Sequence, residues 1–196
     1  MSTLLLVFNS PLQSWGTTLK LKNHDTEPYP SKSGVIGMIA ASLGRRRDED
    51  ISDLVRIRFG VRIDKQGTVI DDFQVSEVPG KNGNSDKKIG HRKYLSDASF
   101  TCGLEGEDEV LEKIKYALMH PAYALFAGRR GCPVTVDLVQ GIVQKSLLDA
   151  LSDDMAEEQK TIILDSNEGY GGAVKDVPVS FSPYNRQYSY RFIEIR

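Results

Sequence analysis

The stretch LVRIRFGVRID, residues 54–64, decides the fold of this chain. Every second residue in it is apolar, namely Val55, Ile57, Phe59, Val61 and Ile63. A period of two is typical of a β-strand with one face in the core, because successive side chains point to opposite faces. The sequence therefore predicts a half-buried strand whose other face is rich in arginine.

An apolar run and a long loop precede this strand. The run TLLLVFNS (3–10) has the length of a strand. The loop PLQSWGTTLKLKNHDTEPYP (11–30) is long for a compact domain, and loops of that size usually carry function or are disordered. It holds Trp15, the only tryptophan. We expect the indole either to fold back and anchor the loop or to stack on a ligand or partner.

The segment SKSGVIGMIAASLG (31–44) predicts a helix. Ser31 or Ser33 can cap its start, and the glycine at its end can terminate it. Gly34 and Gly37 lower its helix propensity, which indicates that another part of the chain comes close to its backbone.

Downstream of the arginine-rich strand, DKQGTVIDDFQVSEV (64–78) predicts a hairpin that turns at residues 66–67. PGKNGNSDKKIGHR (79–92) is polar, glycine-rich and basic, so we expect it to project as a flexible loop or hairpin tip. KYLSDASFTCGLE (93–105) then resumes as a strand.

The second half of the chain adds helices and strands. EDEVLEKIKYALMHP (107–121) is the clearest helix, with acids in its first turn and proline beyond its end. A strand is expected at 134–143 and a short acidic helix around 146–159. Further strand-like runs lie at 161–165, 177–181 and 188–195.

The order strand, helix, two strands, helix, strand within the first 145 residues predicts an α+β fold of the ferredoxin-like type. Such a fold has an antiparallel sheet with helices on one face. Its other face is open, and many RNA-binding modules present it to bases.

Composition excludes several classes of protein. The net charge of −2 argues against a generic nucleic-acid coat protein. Basic residues cluster at 44–47, 86–93 and 128–130, which permits a basic face, although separate solvated patches are the alternative. The two cysteines and three histidines lack metal-ligand spacing, so we expect no metal and two reduced thiols of a cytoplasmic protein. No apolar window is long enough to cross a membrane.

Catalytic motifs are scarce. The chain has no GxSxG, HExxH or P-loop sequence. The candidate for metal-independent RNA cleavage is HRKY (91–94), where His91 would transfer a proton, Lys93 would stabilise charge and Tyr94 would be a polar partner. The alternative is that HRKY is the basic flank of a flexible loop.

Three features favour a ligand that carries phosphate. The start of the predicted helix, residues 32–34, combines backbone amides with a lysine. Arg129 and Arg130 lie between glycines in a tight loop, where a guanidinium can bind a phosphate or stack on a base. The basic segment 79–92 can follow a nucleic-acid backbone.

Four segments, in this order and spacing, resemble a known family: LQSWG, YPSKSGVIGMIAASLG, RKYLSDASFTCGL and YALFAGRRGCPV. The chain is similar to the CasD subunits of type I-E CRISPR Cascade complexes, in the RAMP superfamily of RNA-binding proteins. The resemblance covers roughly residues 3–145. It implies a ferredoxin-like (RRM-like, RAMP) domain at 1–145 with a thumb hairpin inserted at about 76–92. Residues 146–196 would be a short β-rich C-terminal extension packed on the same domain.

The resemblance also implies a function in antiviral defence. Such subunits cap one end of the surveillance complex, hold the 5′ handle of the crRNA, and contact the backbone subunit CasC and the large subunit CasA. They meet target DNA only through the complex, work in the cytoplasm without a cofactor, and do not cleave RNA. Lys32 would bind a handle phosphate, Arg129 and Arg130 would grip the RNA, and Lys93 and Tyr94 would line its path.

The full set of residues expected to contact RNA comes from the tryptophan loop, the helix start, the basic clusters and the thumb base. These residues are Gln13, Ser14, Trp15, Gly16, Lys32, Ser33, Gly34, Arg45, Lys87, Lys88, Arg92, Lys93, Tyr94, Arg129 and Arg130.

Two alternatives stay open. The type I-C branch of the same family processes crRNA precursors with a His, Lys and Tyr set, so a metal-independent endoribonuclease using His91, Lys93 and Tyr94 is conceivable. The other alternative is an assembly subunit whose basic residues meet acidic protein partners.

Overall fold

The computed structural model describes residues 1–16, 23–79, 85–153, 160–166, 169 and 171–196. Helices and mainly antiparallel sheets make up this part of the chain. Its helices are α1 (Lys32–Ser42), α2 (Ser52–Val55), α3 (Asp108–Met119) and α4 (Leu147–Ser152). Its strands are β1 (Ser2–Phe8), β2 (Leu12–Gln13), β3 (Asn23–His24), β4 (Arg58–Lys65), β5 (Thr68–Pro79), β6 (Ser85–Ser96), β7 (Ser99–Gly106), β8 (Val139–Val143), β9 (Thr161–Asp165), β10 (Gly172–Ser180) and β11 (Gln187–Ile195).

The main sheet has the strand order β10-β11-β9-β4-β7-β1-β8, and each neighbouring pair is antiparallel. Helices α1 and α3 pack on one of its faces. The main core lies between these helices and the sheet, where Leu4, Ile36, Phe59, Leu104 and Leu111 are fully buried. No described helix has the length and apolar character that crossing a membrane requires.

The arginine-rich stretch forms the expected strand, but the strand begins later than its alternation predicts. Residues 52–55 form the short helix α2, and β4 starts at Arg58. The arginines on the other face of β4 are paired: Arg58 with the buried Glu105, and Arg62 with Asp64 at 2.7 Å.

The second face of the sheet, expected to be open, is covered at its centre by α4. Leu147 and Leu151 of this helix pack with Ile162 and Leu164 of β9. The helix comes close because Gly60 and Gly103 are opposite each other on β4 and β7. A Cβ atom on Gly103 would lie 2.6 Å from a methyl group of Leu147, and one on Gly60 would lie 2.8 Å from a methyl group of Leu151.

A long hairpin, formed by β5 and β6, projects from the connection between β4 and β7. Its strands pair from Thr68–Ser96 to Pro79–Ser85, and the connecting residues 80–84 lie outside the described part. The prediction of a hairpin turning at residues 66–67 is wrong, because β5 pairs with β6 while β4 pairs with β7 and β9. Residues 85–92, expected to project as a flexible loop or hairpin tip, belong to strand β6 of this hairpin.

Other sequence predictions have mixed outcomes. The helices at 31–44 and 107–121 and the strand at 3–10 are confirmed within one or two residues. The strand expected at 134–143 forms only at Val139–Val143. The acidic helix expected at 146–159 is α4, and residues 154–159 lie outside the described part.

The three C-terminal strand-like runs form β9, β10 and β11, all within the main sheet. β9 pairs with β4, and β11 continues the sheet from β9. The C-terminal residues therefore extend the same sheet that the N-terminal part begins.

Candidate nucleic-acid interface at the base of the hairpin

The indole of Trp15 is an internal anchor. It is 1% exposed and lies edge-on to Phe8, with ring centroids 5.0 Å apart. Its Nε1 donates a hydrogen bond to Oε1 of Gln13 at 3.0 Å. The amide of Gln13 in turn donates to the carbonyl oxygens of Phe8 and Ala98. The expectation that the indole folds back to hold its loop is confirmed.

The anchored loop packs directly on the arginine loop. The backbone N–H of Ser14 donates to the carbonyl of Ala127 at 3.1 Å. A Cβ atom on Gly128 would lie only 1.6 Å from the carbonyl oxygen of Ser14, and Gly128 has φ +84°. Only glycine permits both this contact and this backbone conformation. The Oγ of Ser14 donates to the carbonyl of Lys93, so the tryptophan loop, the arginine loop and the hairpin base meet at Ser14.

The guanidinium of Arg129 lies over the ring of Tyr94, with Cζ 5.3 Å from the ring centroid. A tight turn positions this arginine: the N–H of Cys132 donates to the carbonyl of Arg129, and the N–H of Ala127 donates to the carbonyl of Cys132. Arg130 is exposed beside it. The turn therefore presents two adjacent guanidiniums at the hairpin base, one of them stacked on an aromatic ring.

Lys93 is a third cation at the hairpin base, on the face of β6 opposite to Tyr94. Its Nζ lies 2.9 Å from the carboxylate of Asp25, and the side chain is about half exposed. The pKa of Lys93 is raised, mainly by the hydrogen bond to Asp25 and also by the negative charge of that carboxylate. We call Tyr94, Arg129 and Arg130 the hairpin-base surface; Ser14, which is 2% exposed, lies beneath it and cannot reach a ligand.

The exposed backbone of Gly16 lies next to this surface, because the loop that carries Ser14 and Trp15 continues there. Farther along β6, Lys87 and Lys88 are exposed, and Arg92 is half-buried opposite Asp72. Lys88 and Arg92 share the face of β6 that carries Tyr94, and Lys87 lies on the other face.

The predicted anion site at the start of α1 is closed. Lys32 is 6% exposed, its Nζ lies 2.9 Å from Asp165, and its backbone N–H donates to Asp176 at 2.9 Å. Ser31 caps the N–H of Gly34. Carboxylates of the protein thus occupy the place where free amides and the helix dipole would attract an anion.

The same carboxylates bind Arg191. Its guanidinium pairs with Asp176 and Asp165, at 2.6 Å and 2.7 Å. Burial alone would lower the pKa of Arg191, but the hydrogen bonds and charges of Asp176 and Asp165 outweigh that cost and raise it. The two cations and two anions form a closed network beneath α1.

Several residues expected to contact RNA are therefore removed from the candidate site. Buried and internally bonded side chains cannot reach a ligand without losing those bonds, and this applies to Gln13, Trp15, Lys32 and Ser33. Gly34 contacts the indole, since a Cβ atom there would lie 2.9 Å from Trp15. A Cβ atom on Gly37 would lie 3.3 Å from Phe181, so the expected close approach to both helix glycines is confirmed.

Arg45 also lies outside the candidate site. It lies beyond the C-terminal end of α1, at the other end of that helix from Trp15. Its guanidinium donates two hydrogen bonds to Asp53, at 2.6 Å and 2.5 Å. These bonds raise the pKa of Arg45 and lower that of Asp53.

The proposed catalytic set does not converge. His91, Lys93 and Tyr94 follow one another on β6, so the first two point to one face of the hairpin and Tyr94 to the other. His91 faces Asp71, with Nδ1 3.2 Å from the carboxylate, and its ring lies edge-on to Phe73. Across the described segments, no three potential metal-ligating side chains come together.

Comparisons with known proteins show the family of this chain. The family described as "CRISPR-associated protein (Cas_Cas5)" matches residues 3–194. The "CRISPR system Cascade subunit CasD" of Escherichia coli (strain K12) is 32% identical over 166 residues, covering 74% of this chain and 73% of that protein. A chain of a "CRISPR RNA-guided surveillance complex" has a TM-score of 0.85 and 30% identity, covering 99% of this chain and 89% of the other. A "Crystal structure of Cas protein" has a TM-score of 0.77 and 35% identity, covering 99% and 93%.

Proposed function

This chain belongs to the Cas5 family of CRISPR-associated proteins, and from that premise we propose that it is a non-catalytic RNA-binding subunit of a type I-E Cascade surveillance complex. It caps one end of the complex and holds the 5′ handle of the crRNA for antiviral defence. The similarity to a Cascade subunit over most of both chains supports this assignment.

The observation that carries the RNA-binding role is Arg129 held over Tyr94 at the hairpin base. Proteins recognise single-stranded RNA by stacking bases on aromatic rings and guanidinium planes and by neutralising phosphates. Arg130 supplies positive charge beside that pair, and the buried tryptophan loop keeps the backbone beneath it in place. The handle passes over this surface and continues along Arg92 and Lys88, which share its face of the hairpin.

The proposal includes the finer description of the fold. Residues 1–145 form a ferredoxin-like domain of the RAMP type, with the long hairpin as its thumb and residues 146–196 as a C-terminal extension on the same domain. The order β4-β7-β1-β8 supports this description, because α1 connects β1 to β4 and α3 connects β7 to β8.

The partners follow from the same assignment. The subunit contacts the backbone subunit CasC and the large subunit CasA, meets target DNA through the complex, and works in the cytoplasm without a metal or cofactor. The family membership supports these partners.

The test of the RNA-binding role is the double variant Arg129→Ala/Arg130→Ala. Handle RNA should bind about ten-fold or more weakly in a filter-binding assay, since stacking and charge are both lost. The matched control is Arg46→Ala/Arg47→Ala, which removes the same charge from exposed positions beyond α1. Equal affinity of the two double variants would contradict the assignment.

A second assay separates binding from catalysis. The purified protein, incubated with CRISPR repeat RNA in EDTA, should leave the RNA intact, because His91 and Tyr94 point to different faces of the hairpin. Cleavage that disappears in His91→Ala would establish the endoribonuclease instead. The assembly-only alternative predicts that the complex assembles but that crRNA does not crosslink to residues 13–34 or 128–132 in it.

A further inference from the structure

The outer strands β10 and β11 expose a row of aromatic side chains. β11 is regular, and Tyr188, Tyr190 and Phe192 share one of its faces. Arg191 and Ile193 point to the opposite face and are buried. Tyr190 is 63% exposed and Phe192 is 44% exposed, although aromatic side chains of this size are usually covered.

A bulge in β10 adds a cation to this row. The pairing register with β11 shifts between Val174 and Val177, which leaves Lys175 and Asp176 opposite Tyr190. Asp176 turns inward to Arg191. Lys175 turns outward, and its Nζ lies 5.5 Å from the centroid of the Tyr190 ring. We call Lys175, Tyr188, Tyr190 and Phe192 the aromatic ribbon.

Among the described residues 171–196, which form the strands of the aromatic ribbon, cations outnumber carboxylates. Within the described residues 171–196, the acids are Asp176, which is buried against Arg191, and Glu194, which pairs with Arg196 at 2.8 Å. Lys175 makes no ion pair with a described carboxylate, and Arg186 lies near the start of β11. A negatively charged partner therefore meets uncompensated cations here.

We propose that the aromatic ribbon is a binding surface for single-stranded RNA, separate from the hairpin-base surface and beyond the handle-binding function. Aromatic rings in a row beside cations suit unpaired bases and their phosphates. The hydroxyl groups of Tyr188 and Tyr190 can bond the 2′-hydroxyl of ribose, which favours RNA over DNA. The aromatic ribbon lies on the face of β10 and β11 that points away from α1. On that face of the main sheet, α4 covers the central strands but not these two outer strands.

Ultraviolet crosslinking of the full chain to a short oligouridine RNA tests this proposal. Trypsin cuts after Arg186 and Arg191, so Tyr188 and Tyr190 fall in one small peptide, 187–191, and Phe192 falls in the next. Mass spectrometry should find RNA on these peptides, and should still find it in Arg129→Ala/Arg130→Ala. Crosslinks at 187–196 that vanish in this double variant would overturn the proposal of a separate surface. If the double variant fails to bind handle RNA but keeps the crosslinks at 187–196, the proposal of a separate surface stands.

Affinity measurements complete the test. In Arg129→Ala/Arg130→Ala as background, Tyr190→Ala should weaken oligouridine binding about five-fold or more, as expected for loss of one stacking partner. Tyr123→Ala, which removes another exposed tyrosine (55% exposed, against 63% for Tyr190), should leave it unchanged. Equal affinity of Tyr190→Ala and Tyr123→Ala, or binding of oligothymidine DNA as tight as that of RNA, would overturn the proposal. Circular dichroism of each variant confirms that it is folded.

Discussion

Arg191 donates two hydrogen bonds to Asp176, from Nε to Oδ1 at 2.6 Å and from Nη2 to Oδ2 at 2.9 Å, and both residues are buried. The same carboxylate accepts the backbone N–H of Lys32, so one aspartate joins the start of α1 to the C-terminal strands. The start of α1, where the sequence predicts an RNA phosphate, is thus occupied by carboxylates of the protein itself.

Asp176→Asn should destabilise the protein by about 3–5 kcal/mol, because it leaves the buried charge of Arg191 without one of its two partners. Urea unfolding measures the change in the free energy of unfolding. Asp48→Asn is the control: its carboxylate pairs with Arg46 at an exposed position, so the expected change is within about 0.5 kcal/mol. Equal effects of the two changes would show that the buried network does not contribute to stability.

The fluorescence of Trp15 should show that the indole is buried and should not respond to RNA. Because the indole is enclosed by Gln13, Phe8 and Gly34, its fluorescence should resist quenching by acrylamide. Handle RNA should leave the emission intensity nearly unchanged, since a base that stacked on the ring would quench it. Strong quenching on RNA addition would mean that the loop opens and the indole stacks on a base.

Gly128→Ala should weaken handle RNA binding, while Gly131→Ala in the same loop should not. The added methyl group at residue 128 meets the carbonyl of Ser14, and the positive φ adds about 1–2 kcal/mol of backbone strain. A methyl group at residue 131 meets no atom within 4 Å. Filter binding and thermal unfolding of both variants measure the difference. An unaffected Gly128→Ala would refute the close packing of the two loops.

Both thiols should be unreactive in the folded protein. Burial raises the pKa of the Cys102 thiol well above its usual value, and burial likewise raises the pKa of Cys132. A raised pKa means that less thiolate is present at mildly alkaline pH, and the thiolate is the reactive form. Ellman's reagent should therefore detect both thiols only after denaturation. Rapid reaction of either thiol in the native protein would contradict its burial.

Local signals explain which parts of the fold were predictable. Helices α1 and α3 and strand β1 have periodicity, caps or apolar runs within their own sequence, so their positions were close to correct. The hairpin strands β5 and β6 are largely exposed on both faces, and the hydrophobic pattern that identifies a strand is weak there. Their length was therefore underestimated.

In the candidate site, too, only residues with a signal in their own segment could be predicted from the sequence. Arg129, Arg130, Lys93 and Tyr94 were identifiable because they are basic or aromatic residues in loops or at a strand end. The sequence around Lys32 predicts that it binds RNA, because nothing in that segment reveals its partners. Those partners, Asp165 and Asp176, lie 133 and 144 positions farther along the chain. No spacing rule connects residues so far apart.

The distance between Lys32 and its partners has a consequence for synthesis. While the ribosome is still translating the middle of the chain, the side chain and the backbone N–H of Lys32 lack their partners, because β9 to β11 do not yet exist. Contacts so distant in sequence form late and slowly. A nascent chain that stops before residue 176 should therefore leave its first helix incompletely docked, and the native contacts of this helix form only after β9 to β11 have been synthesised.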